Sequence, residues 1–434
     1  MSGNAPGVAA TYYARLVDRR DEMQQIAILP YDAVVLDARL RQSLVAVRSL
    51  GRRGLSVAAL ENRDDVPAFA SRWCCQGIVC PADEGSETYL AYLERLLNDS
   101  GAHVLITSSD GTIALIRRYR ERLDRRVRIA LAREPALAVA VDKERTLKLA
   151  RQLGLGVPRG VTVAAIGDVA AALADVGLPA VIKPVESWVW QERSGARLAS
   201  RLVTTLDEAK QAVEELTRGG AKALFQQFLP GRREAVSFLY ACGEIYARFA
   251  QWAKRTEPPL GGQSVLRQSI AMPEDIGCQA ERLVRAIDLE GYSEIEFRRD
   301  GKGMPYLMEI NPRLSASVEI AVRAGVDFPY LLYQWARGEK IEKVSAYRTG
   351  LWMRYLKGDI MTTIEAIQQR GRPGVAPPAS AIADFCLSFL RPMGYDYVDW
   401  RDPVPAIKAT TDFTRTWLGG AMRKRISRLT RRSS

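Results

Sequence analysis

Apolar and polar positions along this chain switch between a two-residue and a 3.6-residue repeat, and the switches mark its elements. Residues 32–37 (DAVVLD) read as a short β-branched strand, 42–53 repeat apolar positions at helical spacing and close at Gly54, and 55–60 form a second strand. That is a βαβ unit. A strand at 103–107, a helix at 112–122 and a strand at 127–131 continue the alternation, so the first third is expected to be a parallel sheet wrapped by helices. A helix following Asp142 stops at Gly154 and Gly156 before Pro158, and a new subdomain is expected there. Strands at 180–183 and 224–228 bracket a segment rich in Ser, Gly and Arg. Residues 234–240 and 244–251 read as a hairpin turning at Cys242 and Gly243. A helix from Gly277, a strand at 292–298, a turn at Asp300-Gly301, a strand at 305–310 and a helix from Ser317 follow. The Gly- and Pro-rich stretch 371–380 is expected to link this body to a final region. Residues 1–30 show no period and read as a loosely attached extension.

Composition narrows the chemistry. The chain has 434 residues, 47% hydrophobic and 26% charged, enough for two or three cores and too apolar for a disordered chain. Its single histidine, His103, removes Ser-His-Asp triads and two-histidine zinc sites, and its position at a strand start reads as structural. Chemistry must therefore run on carboxylates, lysines and arginines. The six cysteines lack the paired spacing of a metal ribbon and read as reduced, mostly buried thiols. No run of roughly 18 apolar residues occurs, and the first 30 residues carry charges where a signal peptide needs an apolar core, so a cytoplasmic location is expected. Seven of the twelve net positive charges lie in residues 415–434, which contain no acid, so a nucleic-acid groove in the body is not expected. Leu418, Met422, Ile426 and Leu429 recur there at helical spacing, which suits contact with an anionic membrane as well as a solvated basic end.

The strongest local signal is YLMEINPR at 306–313, following SEIEF at 293–297. Glu309 and Asn311 are two apart on a strand and leave the same face. If a four-residue loop at 301–304 joins the strands, Glu296 stands across from Glu309, close enough for both carboxylates to share Mg²⁺ with phosphate oxygens. Lys183 ends an apolar strand, VIKP, and Lys143 opens a helix, where a cation is unfavourable unless an anion lies nearby. Asp110, after a parallel strand and before a helix, occupies a usual ligand position of such sheets, or caps the helix.

In this order the segments DKERTLKLARQLGLGVP, PAVIKP, LFQQFLPG, EIEF and MEINPRLSAS resemble the ATP-grasp superfamily, and within it the carboxylate-amine ligases and the carbamoyl-phosphate-synthase-like group. The resemblance covers residues 31–340. It implies a mixed α/β and α+β ATP-grasp fold with an N-terminal parallel-sheet domain, a small lid subdomain and a C-terminal antiparallel-sheet subdomain. The implied divisions are an extension at 1–30, a pre-ATP-grasp domain at 31–135, the N-terminal and lid subdomain at 136–228, the metal-bearing subdomain at 229–345, a C-terminal extension at 346–414 and a basic tail at 415–434.

The resemblance also implies roles. Lys143 and Lys183 would hold phosphates, Gln226, Gln227, Phe228 and Leu229 would meet adenine, and Glu234 the ribose hydroxyls. Glu296, Glu309 and Asn311 look like ligands of Mg²⁺, with Mn²⁺ as a substitute. Arg313 looks like the catalytic cation, and Ser315 and Ser317 lie near the acceptor. Asp110, Arg354 and Asp359 are candidates for substrate recognition. Two departures stand out: Gln226 occupies a hinge position that often carries an acid, and the lid between Lys183 and Arg201 is poor in glycine. Within that lid, Trp188 and Trp190 suit either a substrate ring or a half-buried strand.

The implied activity is ATP-dependent joining of a small-molecule carboxylate to an amine, with ADP and phosphate released. A carboxylase or carbamoyl-phosphate reaction, and a nucleotide-binding scaffold without turnover, stay as alternatives. A homodimer is compatible with either.

Overall fold

The computed structural model describes residues 30–190, 195–259 and 261–415. The expected extension up to residue 29 and the tail beyond Arg415 lie outside the described residues, as do lid residues 191–194. The first layer is a parallel sheet of β1 (Ala33–Val35), β2 (Val57–Glu61), β3 (Gln76–Val79), β4 (Val104–Ile106) and β5 (Arg128–Ile129), ordered β3-β2-β1-β4-β5. Helices α1 (Arg41–Gly51), α2 (Glu87–Ser100) and α3 (Asp110–Asp124) connect its strands. β1 pairs with both β2 and β4, so the strand order reverses at β1 and a crevice opens beyond the carboxyl ends of β1 and β4. Ser109 caps α3 by accepting from the Thr112 N–H; Asp110 is therefore the first helical residue and not the cap.

Helix α4 (Lys143–Gln152) begins where the sequence predicts, with Asp142 as its cap. Beyond it, β6 (Gly160–Val163), β7 (Ala180–Pro184), β10 (Arg201–Val203) and β11 (Ala223–Gln227) form an antiparallel sheet ordered β10-β7-β11-β6, once β8 (Trp188–Trp190) and β9 (Gly195–Arg197) are set apart as a hairpin. Its core is Val163, Ile182, Val213 and Phe225.

The largest sheet contains β12 (Arg233–Ala241), β13 (Glu244–Glu257), β14 (Gln263–Ile270), β15 (Gly291–Arg299), β16 (Pro305–Asn311), β17 (Trp352–Arg354) and β18 (Gly394–Tyr395), ordered β16-β15-β12-β13-β14-β17-β18. β17 and β18 belong to the expected C-terminal extension, which thus continues this sheet. Helices α5 (Leu356–Gln368) and α6 (Pro378–Leu387) pack together between those two strands. Among the described residues no helix is long and apolar enough to cross a membrane.

Two local features set the geometry of the site. Arg299 pairs with Pro305, so the β15–β16 connection is residues 300–304, one residue longer than predicted. That alone would put Met308 opposite Glu296. A one-residue β-bulge restores the pairing: Phe297 faces Leu307, but Glu296 faces Glu309. The second feature is Gly156, whose carbonyl accepts from the Leu307 N–H at 2.8 Å. A Cβ at Gly156 would lie 2.5 Å from the Pro305 carbonyl oxygen, so only glycine lets this segment approach the edge of β16.

The cysteines differ from expectation. All six are free thiols, but only Cys80 is buried; Cys75, Cys242, Cys278 and Cys386 are exposed because each sits on a loop, edge or outer helix face.

Gly156→Ala is expected to lower stability by about 1–3 kcal/mol, read as a drop in the urea midpoint. Gly301→Ala, where an added Cβ meets nothing, serves as the control and should leave the midpoint unchanged.

Candidate functional site

Register assigns side chains to the two faces of the large sheet. Glu296 lies opposite Ala235 and Glu309, Glu294 opposite Ser237 and Asn311, and Arg298 opposite Arg233. Directly opposed residues share a face, so Glu294, Glu296, Glu309, Asn311, Arg233 and Arg298 all leave the same side. The other side carries Ile295, Phe297, Leu307 and Ile310 into the core. Lys143 and Lys183 meet this polar face from the smaller sheet and from α4. The Lys143 ammonium lies 3.9 Å from Glu309 Oε2 and donates to Ser187 Oγ at 3.0 Å, while its backbone N–H donates to the Val185 carbonyl. Elements more than a hundred residues apart thus close one cleft.

Its electrostatics follow from burial and proximity. Burial pushes the Glu296 carboxyl up to about 7; Arg233 opposes this, and the neighbouring charges of Glu309 and Glu294 add to it. The Arg233 guanidinium donates to Glu296 Oε1 at 2.5 Å and the Asn311 amide to the same oxygen at 3.2 Å. Burial also raises Glu309, but the ammonium groups of Lys143 and Lys183 and the charge of Arg233 outweigh it and hold that carboxylate below its usual range. Burial lowers Lys183 to about 8, against the pull of Glu309 and with help from Lys143.

Arg313 points to the first sheet. Its Nε donates to Asp110 Oδ1 at 2.8 Å, and Arg197 of β9 approaches the other oxygen of Asp110 at 3.3 Å. Burial works against both charges. The attraction of Arg313, with Arg197 and Lys143, nevertheless holds Asp110 down to about 2, and Asp110 keeps Arg313 above the usual arginine range. Asp110 therefore joins the N-terminal domain, the hairpin and the large sheet at one carboxylate. Trp188 of the hairpin lies against the backbone of Gly111, where a Cβ would sit 2.7 Å from its ring, and forms an edge contact with Trp190. The two tryptophans dock the hairpin.

Ser315 and Ser317 are buried and 3.0 Å apart, and Ser317 Oγ accepts from Gln251 Nε2 at 2.6 Å. Gln226 is buried on β11 with its Nε2 unpartnered, and Gln227, Phe228 and Leu229 continue the strand end towards the large sheet, where Leu229 O accepts from Arg298.

Three predicted residues sit elsewhere. Glu234 faces away from Glu296, because it is opposite Phe297 and Trp252. Its carboxylate is buried between Arg299, 2.7 Å away, and Arg232, 3.1 Å away. Arg354 is opposite Leu266 on that same reverse face, buried against Asp359 at 2.6 Å and covered by the rings of Phe385 and Phe389. Asp359 is held there too, by Arg255 as well as Arg354. Conversely, Arg233, Glu294 and Gln251 escaped the sequence reading. Glu294 accepts from Gln251 at 3.0 Å and from Ser317 at 3.3 Å. Its period-two relation to Glu296 was a usable signal; Arg233 and Gln251 needed the register of β12 and β13.

Among the described residues no three His, Cys, Asp or Glu side chains form a ligating group. The donor set is two opposed carboxylates and one amide, facing two ammonium groups, with buried unpartnered atoms at Gln226 Nε2 and Gln251 Oε1. Hard oxygens beside cations fit a divalent ion bridging to phosphates, and an unpartnered amide at a strand end fits a nucleobase edge.

Comparison with known proteins agrees with this geometry. Residues 222–359 match the family described as ATP-grasp in the biosynthetic pathway with Ter operon. The chain is 28% identical over 216 residues to a D-alanine–D-alanine ligase of Chromohalobacter salexigens, covering 45% of this chain and 64% of the ligase. It is 26% identical over 236 residues to the carbamoyl phosphate synthase large chain of Thermoanaerobacter pseudethanolicus, covering 52% of this chain and 21% of that one. The alignments thus span less than two thirds of either relative. In fold, the chain superposes on biotin carboxylase from Campylobacter jejuni with a TM-score of 0.61 at 16% identity, over 74% of each. The chain has the ATP-grasp fold, and residues 222–359 carry its similarity to that family.

The raised Glu296 carboxyl makes a pH prediction. Its folded value of about 7 exceeds the ordinary 4.5, so the folded state holds this proton more tightly. The resulting stabilisation is complete below about pH 4.5 and is lost as pH rises through 7. Without nucleotide or divalent cation, wild type should lose on the order of 3 kcal/mol relative to Glu296→Gln between pH 4.5 and 8, measured as diverging urea midpoints. Parallel profiles would contradict it.

Proposed function

We propose that this chain is an ATP-dependent ligase that joins a carboxylate to an amine through an acyl phosphate, releasing ADP and phosphate. One observation carries the reading: Lys143 and Lys183 meet Glu309 and Glu296 in one cleft, with Arg313 anchored beside them. A carboxylate oxygen attacks the γ-phosphorus and ADP leaves; the amine nitrogen then attacks the acyl carbon, phosphate leaves and the amine loses a proton. Phosphoryl transfer needs little covalent help but concentrates negative charge, which suits a site with two lysines and an arginine and no histidine.

In this reading Lys143 and Lys183 bind phosphate oxygens, whose negative charge offsets the burial that lowers Lys183. Gln226 offers its unpartnered amide to adenine, with the strand end 227–229 beside it. Glu296, Glu309 and Asn311 would hold Mg²⁺ or Mn²⁺, which when bound neutralises charge on the transferred phosphoryl. Asp110 aims Arg313 at the reacting carboxylate, an orientation that fixes a charge-stabilising donor before reaction. Ser315 and Ser317 border the acceptor. The ribose-binding role is withdrawn from Glu234, whose carboxylate is taken up by two arginines on the reverse face. Arg354 likewise has no part in substrate recognition.

The test is ADP release across a panel of amino acids and small carboxylic acids. Amine-dependent release is expected, reduced at least roughly 100-fold in Glu309→Gln. Lys183→Ala should weaken ATP binding about tenfold or more while circular dichroism stays native. Release that follows bicarbonate instead of amine would favour carboxylation, and ATP binding without turnover would favour a scaffold.

A further inference from the structure

Among the described residues, fifteen large apolar side chains are exposed, and ten of them lie between Leu356 and Ile407. Trp400 is 92% exposed, Leu390 80%, Ile407 61% and Leu387 58%, with Phe389 and Val404 about half open. Single exposed apolar residues are ordinary; this concentration in one region is not. The elements that carry several of them adjoin. Helix α6 leads through Leu387 to Leu390 and packs on α5, residues 404–415 are helical, and Lys357 of α5 sits over the Phe413 ring at 5.7 Å. The parallel pairing of β17 and β18 brings Arg354 opposite Tyr395, five residues before Trp400.

Charge identifies what such a face meets. Beyond Arg415 the sequence carries Arg423, Lys424, Arg425, Arg428, Arg431 and Arg432, without one acid from 415 to 434. Trp417, Leu418, Met422, Ile426 and Leu429 are interspersed with them. A second copy of the chain would bring the same positive charge and repel it. An anionic bilayer supplies both missing complements: headgroups for the cations and an interfacial zone that accommodates tryptophan and leucine.

We propose that the C-terminal region from α5 to Arg415 is a peripheral docking surface for anionic membranes, assisted by the positive charge of the sequence that follows it. Trp400, Leu390 and Ile407 enter the interface, and the tail's cations neutralise lipid charge. The protein lies on the bilayer, since no described helix is fit to span one. This inference is independent of the ligase reading.

The test is flotation of the full chain with vesicles of phosphatidylcholine alone or with 30% phosphatidylglycerol. Binding is expected only with phosphatidylglycerol and should fall steeply between 50 and 300 mM salt. Substituting Arg423, Lys424, Arg425 and Arg428 by glutamine should lower partitioning roughly 600-fold, at about fivefold per charge, and weaken its salt dependence. Trp400→Ser with Leu390→Ser and Ile407→Ser should lower it roughly tenfold with native circular dichroism, because all three side chains are exposed. Absence of flotation, equal binding to both vesicles, or binding unaffected by the apolar substitutions would each overturn the proposal. So would light scattering that showed those substitutions to split a dimer without altering lipid binding, which would make the face a self-interface.

Discussion

Two carboxylates face each other across the Glu296–Glu309 rung, both set against a core, and the repulsion between them is what the remaining charges of the cleft answer. The two respond differently. Glu309 has ammonium groups in front of it and stays ionised; Glu296 has Arg233 at its side, yet burial and its acidic neighbours keep it near half-protonated at neutral pH. Lys183 shows the converse, a cation whose charge is weakened by burial and by Lys143. Such a set is not at an electrostatic minimum by itself: it has a partly protonated acid and a partly deprotonated base within one cleft. A polyanion bound with a divalent cation would restore full charge to both, so binding energy and protonation are linked at this site.

The sequence made legible what depends on neighbours close along the chain. Lys183 at the end of a strand, Lys143 at the start of a helix and Glu309-x-Asn311 on one face need only local periodicity, and each lies where that periodicity predicts. The cross-strand partner of Glu309 came out correctly, but through two offsetting departures, a loop one residue longer and a bulge one residue wide. Neither leaves a compositional mark, because a bulge is decided by what the strand packs against. Glu234 was misplaced for a related reason. β12 pairs with β15 across about fifty intervening residues, so no turn sets its register, and a slip of one residue exchanges Glu234 for Arg233 on the cleft face. Asp110 and Arg313 are 203 positions apart, and the sequence noted both without any sign that they touch.

Three aspartates near the C-terminal end settle how the walls of the cleft are held. Asp396 binds Arg41 of α1 and Arg267 of β14, Asp399 binds Arg52, and Asp402 binds Arg48 together with the Ser71 hydroxyl and the Arg72 N–H. Helix α1 follows directly from the carboxyl end of β1, so these pairs fix one rim of the crevice against the large sheet. Most of their groups are buried. A buried pair adds little net stability over an apolar substitute, but removing one partner costs about 3–5 kcal/mol, so these contacts serve chiefly to specify placement.

The hairpin β8–β9 is held by other means: the docking of Trp188 against Gly111 and the Arg197–Asp110 pair, in which the arginine side chain is 63% exposed. An ion pair of that exposure contributes well under about 1 kcal/mol and is weakened further by salt. Arg197 also shares its carboxylate with Arg313, which is buried and closer. If the hairpin withdrew, Asp110 would keep its stronger partner and Arg313 would keep its orientation. The α1 side is thus held by charge pairs that are dear to break, whereas on the hairpin side the ion pair is cheap and the buried Trp188 ring carries the docking, so loss of the Arg197 contact alone leaves the carboxylates and cations of the cleft in place.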